Sequence, residues 1–247
     1  MSTLNVILTH QHQPAVESMI RWWKDRLSDD KLVIAYGGPE AEFKKLDFAD
    51  KFLITSERLS TKDHQRERQS YQPVFQAITN SGLVESYDYV HLAEYDQIPL
   101  QNNINQLQAS YLEEQNADGI GYRLQRVDGT NNVHYLSHAT DDSFFEFLKS
   151  ISVREDQSTV LSMLGFGGFW KAEAFQAVAR IAEPLPIYLE LFMPTIAHHL
   201  GFRLRSTPPS PFISTSKQFS IADAQCAQSA GEWFIHPVKD QWPTTTT

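Results

Sequence analysis

Two carboxylates, Glu94 and Asp96, directly follow an apolar segment at residues 87–93, and Pro99 interrupts the chain soon after them. A short apolar segment of this kind predicts a buried strand, so the pair leaves the strand at its carboxyl end. Burying two unpaired carboxylates is very costly unless a metal ion or a basic group lies beside them. The pattern therefore indicates a cation site, and a solvated acidic turn is the alternative.

A second group of chemically capable residues lies near the C-terminus, in the segment GEWFIHPVKD. His236 can supply one metal ligand, and Lys239 can meet a phosphate as a point charge. The aromatic side chains of Trp233 and Phe234 should tether this segment to the protein. A lone surface histidine usually has no role, so this segment taken alone predicts little.

The elements that must position these residues follow an alternating pattern in the first hundred residues. Apolar segments predict strands at residues 5–9, 31–36, 51–55 and 87–93, and helical spacing of apolar residues predicts helices at 14–27 and 71–80. This β-α-β-β-α-β order predicts an α/β domain with a mainly parallel central sheet flanked by helices.

The second half of the chain is less regular. It predicts a strand at 117–124, a turn at 128–132 with a hairpin arm at 134–136, helices at 172–181 and 187–200, and a short strand at 202–205. No linker separates two halves, so we expect one domain over residues 1–242 and a disordered tail at 243–247.

Ligands of an open parallel sheet bind at the carboxyl ends of its strands. The polar residues that follow the predicted strands are therefore the ones to inspect. They are Thr9, His10 and His12 after the first strand, Tyr36 after the second, Ser56 and Glu57 after the third, and Glu94 and Asp96 after the fourth.

Composition excludes several classes of protein. The 247 residues include 21 Lys and Arg against 30 Asp and Glu, a net charge of −9, so we expect no general affinity for nucleic acid or anionic lipid. The single cysteine cannot form an internal disulfide, which fits a reducing compartment. We expect a soluble cytoplasmic protein without a signal peptide or a transmembrane segment.

Taken together, these segments resemble the GT-A (Rossmann-like) fold of nucleotide-sugar-dependent glycosyltransferases. NVILTHQHQPAVESMIRWW resembles the opening strand and helix, KLVIAYGG the second strand, and HLAEYD the acidic metal motif, with Glu in the first place. MLGFGGFWKAEAF resembles the glycine-aromatic acceptor segment and its helix. IYLELFMPTIAHHLGFRL resembles the segment in which an acidic residue precedes a helix that ends in a glycine. HPVK resembles the late histidine that completes the metal site.

The resemblance implies a metal-dependent, hexosyltransferase-like enzyme that uses a UDP- or GDP-linked sugar. Asp96, Glu94 and His236 are implied as ligands of Mn²⁺ or Mg²⁺, because oxygen-rich ligation with one imidazole suits these ions. The residues implied for the nucleotide are Thr9, His10, Tyr36, Arg66, Arg68, Glu94 and Lys239.

The resemblance also implies an acceptor side, for a glycan or glycolipid. Glu190 is the implied catalytic base of an inverting reaction, or alternatively a helix-supporting residue. Gly167 and Gly168 would allow close backbone approach of a sugar, and Phe169 and Trp170 would offer ring faces to it. An aromatic core plug is the alternative for both rings.

Three alternatives stand beside this interpretation. The pair His10 and His12 is typical of metal-dependent hydrolases on α/β barrels, which require eight β/α units. A sugar nucleotidyltransferase would open with a glycine-rich loop carrying an arginine, and THQHQPA has no glycine. The third alternative is a non-catalytic protein of the same fold that binds a nucleotide or a glycan.

Overall fold

A central β-sheet organises the computed structural model, which describes residues 1–11, 13–27, 30–55, 72–165, 167–181 and 187–238. The strands in chain order are β1 (Thr3–Thr9), β2 (Lys31–Tyr36), β3 (Lys51–Leu53), β4 (Tyr89–Glu94), β5 (Ile98–Pro99), β6 (Gly119–Gly121), β7 (Gln125–Arg126), β8 (Leu161–Ser162), β9 (Gly168–Lys171), β10 (Leu204–Ser206) and β11 (Phe234–Ile235). The helices are α1 (Gln13–Lys24), α2 (Glu40–Lys45), α3 (Gln72–Asn80), α4 (Ile104–Glu114), α5 (Val133–Leu136), α6 (Asp142–Ile151), α7 (Ala172–Ala179), α8 (Leu189–His199) and α9 (Ile221–Ser229).

The central sheet has seven strands in the order β10-β6-β9-β4-β1-β2-β3. Strand β9 runs antiparallel to both of its neighbours, and the other neighbouring pairs are parallel. Two small ribbons, β5 with β11 and β7 with β8, lie outside it. The predicted α/β class, with a mainly parallel sheet flanked by helices, is confirmed, and the open sheet excludes the eight-stranded barrel of the hydrolase alternative.

Strand β1 lies near the middle of the sheet and is buried on both faces. All seven of its residues are buried. Leu4, Val6 and Leu8 pack on one side in the cluster that holds α3, α7 and α8, whereas Ile7 packs on the other side with Trp23 of α1. Successive side chains of a strand point to opposite faces, so a strand that is buried along its whole length requires helices on both sides of the sheet.

The carboxyl ends of the central strands meet at one edge of the sheet. In the parallel ladders, Thr9 pairs with Tyr36 and Leu8 pairs with Glu94. The first and second strands and the acidic pair therefore come together as the sequence predicts. None of the helices in the described ranges is both long and apolar enough to cross a membrane.

The hairpin arm predicted at residues 134–136 is wrong, because these residues form the short helix α5. The side chain of Asn132 accepts hydrogen bonds from the backbone N–H groups of His134 and Tyr135, both at 3.0 Å. This N-cap stabilises a helical turn, and β7 pairs instead with the more distant β8.

A polar network around Asp118 joins the three strands at one end of the sheet. Its carboxylate accepts hydrogen bonds from the ammonium group of Lys171 at the end of β9 (2.8 Å) and from the backbone N–H of Arg203 before β10 (2.9 Å). Burial opposes the charged form, but these donors outweigh it and lower the pKa of Asp118 to about 2. The charged carboxylate therefore stabilises the docking of β6, β9 and β10.

We expect Asp118→Asn to lower the free energy of unfolding by about 2 kcal/mol at pH 7, because the pKa of Asp118 is lower in the folded protein than in the unfolded chain. This contribution is present above about pH 4, and about half of it is lost by pH 3. Urea unfolding of both proteins at pH 7, 4 and 3 measures the difference. A difference that is constant across this range would contradict the role of the charged carboxylate.

Candidate metal centre

Glu94, Asp96 and His236 form a cluster at the carboxyl edge of the sheet. One ligand atom from each residue lies within 4.8 Å of the other two. Two octahedral ligands that each lie about 2.1 Å from one Mg²⁺ ion are about 3.0 Å apart when adjacent and about 4.2 Å apart when opposite, so the three side chains need to approach by at most about 2 Å to hold an ion. The residue types and their spacing therefore fit a small divalent cation.

The position of His236 depends on the pairing of two short strands. Strand β11 runs antiparallel to β5, with Ile235 opposite Ile98. Just beyond it, the backbone N–H of Val238 donates to the carbonyl of Asp96 at 2.9 Å. Apolar residues of both segments pack with α9 in one buried cluster. These contacts bring the C-terminal histidine beside the turn that follows β4.

The imidazole of His236 lies between a carboxylate and a backbone carbonyl. Its Nε2 is 3.2 Å from Oδ1 of Asp96, and its Nδ1 is 3.3 Å from the carbonyl oxygen of Ser214. When Nδ1 donates its proton to Ser214, the Nε2 lone pair faces a carboxylate oxygen. Two acceptors at this distance require a proton or a metal cation between them. A histidine whose other ring nitrogen donates to a backbone carbonyl is typical of metal ligands.

The burial of these side chains strengthens the requirement for a cation at this site. The side chains of Asp96 and His236 are only 6% and 8% exposed, and Glu94 is half-buried. Removing charged groups from water costs several kcal/mol each, which nearby opposite charge must offset. A divalent cation bound by both carboxylates would provide that charge.

Tyr95 separates the two carboxylates in sequence and is a residue that the sequence analysis missed. Burial, followed by the nearby carboxylates of Asp96 and Glu94, raises the pKa of its phenol to about 12, and a hydrogen bond with Gln11 opposes the shift. The phenol is therefore protonated at neutral pH. Its ring meets the ring of His10 edge to face, with centroids 5.5 Å apart.

The predicted nucleotide contacts occupy different depths in the structure. Thr9 and Tyr36 are 1% and 0% exposed, and their contact with a nucleotide stays a prediction. Oγ1 of Thr9 accepts from the backbone N–H of Gln11 at 3.1 Å, and the Tyr36 ring packs on Phe43. His10 is half-buried at the same edge. His12, Ser56, Glu57, Arg66, Arg68 and Lys239 lie outside the described residues.

The structure places the predicted acceptor contacts Gly167, Gly168 and Trp170 in the interior of the protein, and all three residues are buried. Trp170 is 1% exposed and belongs to the main core cluster. A Cβ at Gly168 would lie 2.5 Å from its indole nitrogen, and a Cβ at Gly119 would overlap its ring. These two glycines make room for the indole ring in the core, so the ring offers no face to a sugar. Phe169 is also buried, at 0% exposed.

Glu190 lies in the first turn of α8 and is half-buried. Its backbone carbonyl accepts from the N–H of Met163 at 2.9 Å. A Cβ at Gly165 would lie 3.4 Å from its carboxylate oxygen, so this carboxylate faces the glycine segment. It does not belong to the three-residue cluster around Asp96.

Gln97 is a second residue that the sequence analysis missed. It directly follows Asp96, is 0% exposed, and neither its amide nitrogen nor its amide oxygen has a hydrogen-bond partner among the described residues. A Cβ at Gly167, where φ is +70°, would lie 2.6 Å from that nitrogen. Only its position next to Asp96 could have drawn attention to it in the sequence.

No protein-family model and no curated protein sequence matches the chain. Three solved structures are similar to it in fold, at TM-scores below 0.5. WbbM, a bifunctional glycosyltransferase in its apo form, has 10% identity and a TM-score of 0.47, over 98% of this chain and 46% of that chain. This chain therefore spans about half the length of WbbM.

The other two structures were solved with nucleotides. CMP:2-keto-3-deoxy-manno-octonic acid synthetase complexed with CTP has 7% identity and a TM-score of 0.47, over 94% of this chain and 98% of that chain. Core-mannan synthase A from Aspergillus fumigatus, in a Mn/GDP form, has 10% identity and a TM-score of 0.42, over 83% and 72%. Similarities at this level do not identify a family.

We expect Trp170→Ala to lower the free energy of unfolding by about 3–5 kcal/mol, because it removes a fully buried aromatic side chain. Val153→Ala is the control, since Val153 is 72% exposed and its truncation should change stability by less than about 0.5 kcal/mol. Urea unfolding measures both values. A Trp170→Ala protein as stable as the control would contradict the core assignment.

Proposed function

We propose that this protein is a metal-dependent glycosyltransferase of the GT-A type, which moves a sugar from a UDP- or GDP-linked donor to a glycan or glycolipid hydroxyl. The observation that carries the proposal is the cluster of Glu94, Asp96 and His236 at the carboxyl edge of a mainly parallel sheet. That edge is where open α/β sheets bind their ligands. The cytoplasmic location expected from the composition stays a prediction.

The donor set of the cluster favours Mn²⁺ or Mg²⁺. Two carboxylates and one imidazole are an oxygen-rich set with a single nitrogen, which suits these ions better than zinc. When bound, such an ion would neutralise the diphosphate and stabilise the charge that develops as the nucleotide leaves. Asp96 and His236 would hold it, and Glu94 would bind it directly or reach the ribose.

Glu190 is the residue that we propose as catalytic base of an inverting reaction. Its carboxylate would accept the proton of the acceptor hydroxyl while the hydroxyl oxygen attacks the donor sugar. Its half-buried position in the first turn of α8, facing Gly165, supports this role because the carboxylate remains accessible at a fixed element of the fold.

We expect Asp96→Asn to lower the affinity for UDP or GDP in the presence of Mn²⁺ by more than about 100-fold, since loss of a residue that only orients a metal ligand already costs about 10–100-fold. Titration calorimetry with each nucleotide, with and without Mn²⁺, measures this. Asp47→Asn is the matched control, because Asp47 is exposed and lies outside the cluster.

Two results of this titration would contradict the proposal. Nucleotide binding that is equal with and without Mn²⁺ would exclude the metal role of the cluster. Failure of both nucleotides to bind under any condition would exclude the donor site and with it the transferase.

We expect Glu190→Gln to keep nucleotide binding and to lower turnover by about 10²–10⁴-fold, because the amide cannot accept the acceptor proton. Donor-sugar turnover and calorimetric nucleotide binding are measured on the same preparation. Glu173→Gln is the matched control, since Glu173 occupies the first turn of α7 and is exposed. If Glu190→Gln instead loses its cooperative unfolding, Glu190 supports the helix and is not the base.

A further inference from the structure

A cavity of about 620 Å³ opens at the carboxyl ends of β6 and β10, on the same edge of the sheet as Glu94. We call it the edge cavity and define it by Tyr111, Tyr122, Arg123, Thr207 and Ile213, which all line it. Its volume lies in the range of about 300–1,000 Å³ that is typical of small-molecule sites. None of the residues assigned to the metal centre lines it.

Arg123 gives the edge cavity a positive charge. It is the only charged residue among the described residues that line the cavity, and no carboxylate of a described residue lies within ion-pair distance of it. One guanidinium nitrogen donates to the carbonyl of Ile213 at 3.0 Å, which fixes the side chain. The other N–H donors of the guanidinium remain for a ligand. In a chain of net charge −9, this is a local site for an anion.

The backbone at Arg123 is also unusual, because its φ is +55°. Residues other than glycine rarely adopt this conformation, and such strain is concentrated at functional sites. The turn directly follows Tyr122 at the end of β6, so it directs the chain away from the sheet beside the cavity.

Thr207 supplies an unused hydrogen-bonding group. It directly follows β10, is 4% exposed, and its Oγ1 has no hydrogen-bond partner among the described residues. Its backbone N–H donates to the carbonyl of Gly121 at 2.9 Å, which ties it to the end of β6. A buried hydroxyl left without a partner costs about 1–3 kcal/mol, which a ligand hydroxyl in the cavity would offset.

The walls of the cavity fit a sugar ring. Tyr111 and Tyr122, with Pro208 and Pro209, provide flat apolar surfaces beside the polar groups. The hydroxyl of Tyr111 donates to the carbonyl of Ser206 at 3.0 Å, which holds its ring in place. Burial raises the pKa of the Tyr122 phenol, and the nearby carboxylate of Glu232, which does not line the cavity, raises it further.

The edge cavity is joined to the metal centre through one segment. Ile213 lines the cavity and forms a parallel bridge with His236, and the carbonyl of the next residue, Ser214, faces Nδ1 of that histidine. Strands β6 and β4 are separated by β9 alone, so their ends lie about 10 Å apart. A molecule in the cavity would therefore lie beside a donor sugar held at the metal centre.

We propose that the edge cavity is the acceptor subsite and binds an anionic sugar, whose carboxylate or phosphate meets Arg123 and whose hydroxyl meets Thr207. This assignment rests on the proposed transferase function. Carboxylate and phosphate share the bidentate geometry that a guanidinium recognises, so the experiment compares the two.

The test is an NMR titration without metal or nucleotide, using glucuronic acid, glucose 6-phosphate, glucose and inorganic phosphate as separate probes. We expect at least one of the two anionic sugars to shift the backbone amides of Arg123 and Thr207, with a Kd at least tenfold lower than that of glucose. Arg123→Gln should raise that Kd at least tenfold. Arg21→Gln is the matched control, because Arg21 is an exposed α1 residue outside the cavity and should leave it unchanged.

Thr207→Val provides an independent arm, because it removes the hydroxyl without touching the bond between Arg123 and Ile213. Its Kd for the same sugar should rise by about 2- to 10-fold, the range for one neutral hydrogen bond. Four results would overturn the proposal: no shift with any probe, equal affinity for glucose, equal affinity for inorganic phosphate, or unchanged affinity in both variants.

The failure of this assignment is distinguishable from the failure of the transferase. If nucleotide binds with Mn²⁺ and no anionic sugar binds, the acceptor assignment alone is wrong. If the anionic sugar binds in the cavity and neither nucleotide binds with Mn²⁺, the transferase is wrong and the cavity stands as a carbohydrate site.

Discussion

A carboxylate oxygen and an imidazole nitrogen 3.2 Å apart, both almost completely buried, require a proton or a metal cation between them, and much of this structure serves to hold them there. Asp96 comes from the turn after β4, whereas His236 comes from the far end of the chain. Their approach depends on the pairing of β5 with β11, two strands of two residues each. Such short strands contribute little by themselves, so the apolar cluster with α9 must stabilise the pairing.

The first half of the fold could be predicted because its signals are strong. Strand β2 was predicted at its observed bounds, 31–36, since an apolar segment followed by glycine and proline gives both its extent and its end. The second half could not be predicted in the same way. Strands β5, β7, β8 and β11 have two residues each, too few for any periodicity, and Asn132 turns the expected hairpin arm into a helix.

The sequence could predict which strand ends carry the candidate site residues, but it could not predict how deeply those residues are buried. The position of Glu94 and Asp96 after an apolar strand placed them at the carboxyl edge of the sheet. His236 was singled out in its own segment, and the resemblance joined it to the acidic pair. Residue type and position do not reveal depth, however. Trp170 was assigned to an acceptor because its segment resembles a glycine-aromatic acceptor segment, yet Gly119, distant in the chain, makes the space that buries its ring. That packing depends on tertiary contacts.

Gly167, in the glycine-rich segment, contacts the part of the chain that carries the metal centre. The backbone N–H of Gly167 donates to the carbonyl of Leu92 in β4, two residues before Glu94. The amide of Gln97, the residue after Asp96, packs against the same glycine in space that no Cβ could share. Gly167 thus contacts the chain on both sides of the acidic pair. Keeping the Gln97 amide buried without a partner among the described residues costs about 1–3 kcal/mol. A buried amide of this kind is retained where the amide fixes the local geometry. We therefore infer that Gly167 and Gln97 together hold the turn that carries Asp96.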